Sequence, residues 1–146
     1  MLDCVYAWLD RHRAWGMLAL RLAIGVRLVE GTQDNVFSHE RMEEFARFLA
    51  AQGTAAPMFS AYLSAYAQFI CGILIVLGLF TRPAGLVMTI NFICALIIAH
   101  RTTPFVQTWP ALMMLAAAIH FLFCGAGALS LDRFTRLEAR RLDRRA

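Results

Sequence analysis

The chain has 146 residues, 60% apolar and only 16% charged, with a net charge of +4 drawn from fourteen arginines and no lysine. A soluble domain this short cannot hide so much apolar surface, so the composition excludes an ordinary globular enzyme and makes a bilayer the expected solvent. The length suits one domain over residues 1–146 and not two.

The N-terminal stretch MLDCVYAWLDRHRAW carries charges through its first turns and lacks a small-residue cleavage site, so it does not read as a secretory signal. A first membrane span is expected at about 15–36, near the roughly 20 residues that cross about 30 Å of hydrocarbon. It is the least apolar of four, because Arg21, Arg27 and Glu30 interrupt it. Arg27 and Glu30 are one helical turn apart and share a face that Asp34 extends, whereas Arg21 points about 120° away. Arg21, near the inner end, is expected to act structurally, by snorkelling or by pairing with Asp132 beyond the last span. Arg27 lies about 10 Å below the outer end of its helix, where a lone charge needs a partner or a wet cavity. Glu30 is its nearest candidate partner.

Residues of about 39–52 form a short amphipathic helix, with Phe45, Phe48 and Leu49 on one face and Glu43, Glu44 and Arg47 largely elsewhere. Ser38 is positioned to cap it, although Arg41 stands where a capping box has Glu, and Gly53 and Pro57 close it. This helix is expected at the membrane surface or over the end of the bundle. A second span follows at about 60–80, with Ser60, Ser64, Gln68 and Gly72 recurring every fourth residue as a small and polar stripe. The tight FTRPAG turn leads into a third span at about 83–100 carrying Asn91. A fourth, at about 108–129, follows HRTTPFVQTWP, which sets Trp109 at interface depth, and carries His120 between Ala116 and Cys124. The fold class expected is therefore an all-α membrane protein, a four-transmembrane-helix bundle with one interfacial helix between its first two spans.

Arg11, Arg13, Arg82 and the arginines of the basic tail 133–146 fall on one side if the spans alternate, and the acidic first loop on the other. The positive-inside rule then places both termini in the cytoplasm, with the tail facing anionic lipid headgroups. Nothing in that tail calls for nucleic acid, because it follows an apolar segment directly.

Each span contributes a strongly polar side chain to its middle or outer half: Arg27 and Glu30, Gln68, Asn91 and His120. Turned inward, these five would make a polar intramembrane pocket open to the outer side; taken one by one, Gln68 and Asn91 read as hydrogen-bonding glue between helices. Haem is disfavoured, since His100 and His120 differ in depth by about 15 Å. Copper held by His120, Cys124 and Met113 or Met114 has suitable ligand softness but no ligand spacing, and no metal site is expected. Cys4, Cys71, Cys94 and Cys124 include no CxxC pair, and the three inside apolar runs read as packing residues.

Three segments in order, LALRLAIGVRLVEG at 18–31, FICGILIVLGLFTRPAG at 69–85 and CGAGALSLDR at 124–133, resemble the DoxX family of small four-helix membrane proteins. The likeness covers nearly the whole chain. It implies a bacterial inner-membrane protein in which Arg21 and the Ser130–Leu131–Asp132 run are structural signatures. Members are linked to a thiosulfate:quinone oxidoreductase and to membrane complexes concerned with oxidative and thiol stress, and distant eukaryotic relatives act as assembly factors or cargo receptors. Where Gln68 stands, members often have a glutamate, so a proton relay implied at that position has no titratable group here. The resemblance and the polar residues together suggest an auxiliary subunit of a quinone-linked oxidoreductase rather than an enzyme on its own. Quinone or lipid would be the bound molecule, with Arg27 donating to a carbonyl and Glu30 or His120 exchanging protons. The alternatives are a non-redox binding or assembly module that engages a partner membrane or periplasmic protein, a homo-oligomer, and a small-molecule or lipid carrier.

Overall fold

The computed structural model describes residues 2–99 and 105–134. Five helices appear among them, and no strand: α1 Leu2–Phe37, α2 His39–Ala51, α3 Pro57–Leu77, α4 Thr81–Ala99 and α5 Phe105–Cys124. The chain is all-helical, and α3, α4 and α5 are each long and apolar enough to cross a membrane. Helix α1 has the length, 36 residues, but its charged positions keep it outside that class.

Local chemistry sets most of the boundaries. No glycine or proline stands between Leu2 and Trp15, so α1 runs back well beyond the expected start at 15. Helix α2 has Ser38 as its N-cap, in extended conformation, with its hydroxyl accepting from the Arg41 amide at 3.4 Å. Helix α3 opens on Pro57, in the first turn where a missing N–H costs nothing, and ends at Gly78 in the left-handed region (φ 67°). It therefore sits about one turn earlier than expected. Helix α5 stops at Cys124 rather than near 129, because Gly125 and Gly127 adopt φ of 70° and 77° and turn the chain. His100, at the expected end of the third span, and the tail from 135 onward lie outside the described residues.

Two helix pairs, α1 with α3 and α4 with α5, pack most extensively and meet along the seam between α3 and α4. Glycines permit both close approaches. A Cβ on Gly72 would stand 3.0 Å from the Gly25 carbonyl, and one on Gly85 would stand 2.6 Å from the Leu122 amide nitrogen. Around these contacts lies a core of Leu28, Cys71, Ile75, Ala84, Met88, Phe92, Ala117, Ala118 and Phe121. Helix α2 does more than rest on a surface. Met42, Ala46 and Leu49 bury against Ala61 and Ala65 of α3 in a second cluster that Ile98 of α4 joins. A polar contact adds to this: His39 Nδ1 is 3.3 Å from the Tyr62 hydroxyl, and His39 Nε2 is 3.1 Å from the Glu43 carboxylate.

Candidate functional site

The most deeply buried charge is Arg21, 2% exposed. It does not snorkel. Its Nε donates to the Ile75 carbonyl and Nη2 to that of Val76, both at 2.9 Å in the last turn of α3. Nη1 donates to Ala126 at 2.9 Å and Leu129 at 2.6 Å in the segment after α5. A cation that fills the acceptors at a helix C-terminus also meets the negative end of the helix dipole. Asp132 attracts the guanidinium electrostatically. Its carboxylate also accepts from the amides of Phe80 at 2.8 Å and Thr81 at 3.1 Å, which caps α4. Gly78 lies against the guanidinium, where a Cβ would come within 2.5 Å of Arg21 Nη2. One arginine and one aspartate thus tie α1, α3, α4 and the segment after α5 into a single latch. The two residues named from sequence as structural meet here, through carbonyl groups that no side-chain pattern announces.

The five polar residues expected to line one pocket are distributed differently. Gly25 faces α3, and Arg27 stands two residues on, about 200° round the helix, so it points away. Its side chain runs along its own helix, and the guanidinium would stand 3.0 Å from a Cβ at Gly31. Arg27 and Glu30 are both exposed, and no hydrogen bond or ion pair joins them among the described residues. His120 repeats the geometry on α5. It follows by two residues Ala118, whose carbonyl abuts Gly85, and is turned outward and exposed. The expected single inward-facing chamber is therefore not how the helices are rotated, because the glycine and alanine faces claim the contacts.

Gln68 and Asn91 do come to one level. At one end of the α3–α4 seam Ile98 packs with Ala61 and Ala65; at the other Ala84 shares a cluster with Ile75. Asn91 is two turns from both Ile98 and Ala84, and Gln68 is two turns from both Ala61 and Ile75. Gln68 Nε2 donates to the Ser64 hydroxyl at 3.0 Å. Asn91 Nδ2 is buried and has no hydrogen-bond partner among the described residues. The pair makes a polar layer between two apolar clusters.

A groove of about 520 Å³ runs between α1 and α3, lined by Val26, Val29, Glu30, Gln33, Ile73, Val76 and Leu77. Val26, Val29, Glu30 and Gln33 follow the three- and four-residue spacing of one helical face, and Ile73, Val76 and Leu77 do the same on α3. The walls are aliphatic, and the polar groups stand toward the C-terminal end of α1. Glu30 is the one residue of the expected five on this lining. Gln33 was missed from sequence, although its place three residues after Glu30 and seven after Val26 is the signal that finds it. Among the described residues no group of three or more His, Cys, Asp or Glu could hold a metal ion.

The model of the DoxX family matches residues 16–101, which take in most of α1 and all of α2, α3 and α4. The protein named "Putative oxidoreductase CatD" from Bacillus subtilis (strain 168) is 31% identical over 121 residues, covering 82% of this chain and 86% of that protein. "Inner membrane protein YphA" from Escherichia coli (strain K12) is 26% identical over 110 residues, covering 67% of this chain and 79% of that protein. No solved structure matches. The groove is formed wholly by residues inside the family match, whereas Asp132 of the latch lies beyond it.

Proposed function

The chain belongs to the DoxX family, and from that premise we propose that it is an auxiliary, quinone-binding subunit of a membrane oxidoreductase system. It crosses the bacterial inner membrane four times, through α1 as well as α3, α4 and α5, with both termini in the cytoplasm and α2 on the periplasmic side. Arg11, Arg13, Arg82 and Arg133 belong to the cytoplasmic end of this arrangement, Glu40, Glu43 and Glu44 to the opposite one.

The observation that carries the ligand reading is the α1–α3 groove, whose aliphatic walls end at Glu30 and Gln33. An isoprenoid tail fits against Val26, Val29, Ile73, Val76 and Leu77, and a ring oxygen meets the Gln33 amide, a donor at every pH. Glu30, when protonated, donates to a quinone carbonyl; when ionised, it accepts from a quinol hydroxyl. Arg27, exposed on the adjoining face, is close enough in sequence to add a donor as the headgroup settles. Gln68 and Asn91 act as a polar layer in the helix seam in this reading. The chain supplies binding and proton exchange, and the electron-transfer partner is another subunit.

The test is titration of a short-chain quinone into protein held in lipid nanodiscs, with tryptophan fluorescence and photo-crosslinking as readouts. Glu30→Gln combined with Gln33→Leu is expected to weaken binding about tenfold, the loss of one to two hydrogen bonds in an apolar setting. No saturable quinone binding by the unaltered protein would overturn the reading.

A further inference from the structure

Of the three apolar spans, α5 is the least covered: 17% of it is buried, against 28% for α3 and 28% for α4. Among the described residues helix α4 is its one extensive helical neighbour. The far side carries Ala116, His120 and Cys124 at four-residue spacing, all three exposed. His120 is one turn inside the end of α5, and Phe123 on the same helix is likewise exposed. In the four-span arrangement proposed above, the exposed imidazole is then turned toward the lipid side of α5. Neutral imidazole has one donor and one acceptor, and among the described residues neither makes a hydrogen bond. Hydrocarbon offers nothing to either, so the arrangement is unfavourable for an isolated chain.

We propose that this face of α5 is the interface of a parallel two-fold dimer, in which His120 of each copy hydrogen-bonds its counterpart. The occupant is a second copy of this chain for a geometric reason. Copies inserted in one orientation place His120 at the same depth, and one imidazole supplies the acceptor that the other's N–H needs. Ala116 and Cys124, one turn to either side, are small enough for two backbones to approach, and four-residue spacing suits the right-handed crossing of such pairs. The α1–α3 groove lies on other helices, so dimerisation and ligand binding stand or fall separately.

Native cysteines provide the test. Cys124 lies on the proposed seam, Cys94 is exposed on α4 away from it, and Cys71 is buried. Two forms are compared in native membranes after mild oxidation, one carrying Cys4→Ser and Cys94→Ser, the other Cys4→Ser and Cys124→Ser. Only the form retaining Cys124 is expected to run mainly as a disulfide-linked species of twice the chain mass. His120→Leu in that form should lower dimer association about tenfold, the effect of one interhelical polar contact in a membrane, without lowering its melting temperature. Equal crosslinking through Cys94 and Cys124, a product of any other mass, or a dimer indifferent to His120→Leu would each overturn the proposal. Light scattering of the detergent-solubilised protein gives the same comparison without oxidation: a dimer mass that His120→Leu shifts to monomer supports it, and a monomer in every form overturns it.

Discussion

Removing the guanidinium of Arg21 is the sharpest perturbation of the fold. Arg21→Met keeps an aliphatic chain in place but leaves the carbonyls of Ile75, Val76, Ala126 and Leu129 without the donors they have at 2.6–2.9 Å. Each buried polar group left unpaired costs about 1–3 kcal/mol, so four of them set a lower figure of about 4 kcal/mol. Water reaching the half-buried members holds the loss toward that end. Against a total stability of about 5–15 kcal/mol this is a large fraction. With about 2–4 °C of melting temperature per kcal/mol for a chain near this length, the expected drop is about 8–16 °C. Arg21→Lys keeps the charge, but a single nitrogen cannot reach both the end of α3 and the segment after α5, so it should recover about half of the loss. The assay is thermal unfolding in one detergent, followed by helical circular dichroism and by labelling of the buried Cys71 thiol. A melting temperature for Arg21→Met within about 2 °C of the unaltered protein, less than 1 kcal/mol on the same scale, would refute the latch.

Two further substitutions test the packing. Gly72→Leu forces a side chain into the space where a Cβ alone would meet Leu28, Val29 and the Gly25 carbonyl at 2.9–3.0 Å; separation of α1 from α3 is expected to lower stability by about 3 kcal/mol or abolish folding, read by the same melting assay. Asn91→Leu goes the other way: its buried Nδ2 has no hydrogen-bond partner among the described residues, so an apolar replacement of similar size should be neutral or stabilise by about 1 kcal/mol. A fall in melting temperature on Asn91→Leu would instead show that the amide has a hydrogen-bonded role.

The helices were legible in the sequence because their signals are local. Ser38, Gly53 and Pro57 stop or start segments through their own local preferences, whereas the stops at Gly78 and Gly125 were read through, and runs of apolar residues mark the spans by composition alone. The amphipathic spacing of Phe45 and Leu49 identified α2 for the same reason. Arg21 and Asp132 were expected to act structurally from their place at the ends of spans and from family likeness. Their partners were not, since Arg21 donates to carbonyls 54 and 108 positions away, and every residue has a carbonyl.

What only the tertiary structure decided is how each helix is turned about its axis. Polarity alone suggested that Arg27, Glu30, Gln68, Asn91 and His120 would converge. The backbone approaches that glycine permits, Gly25 on Gly72 and Gly85 on Ala118 and Leu122, instead fix which faces meet. Side chains about 200° away, Arg27 and His120, are then directed outward. A linear sequence specifies the spacing of residues along a helix, but the rotation of one helix against another is settled by which pair of small faces packs best, and that is a property of two segments at once.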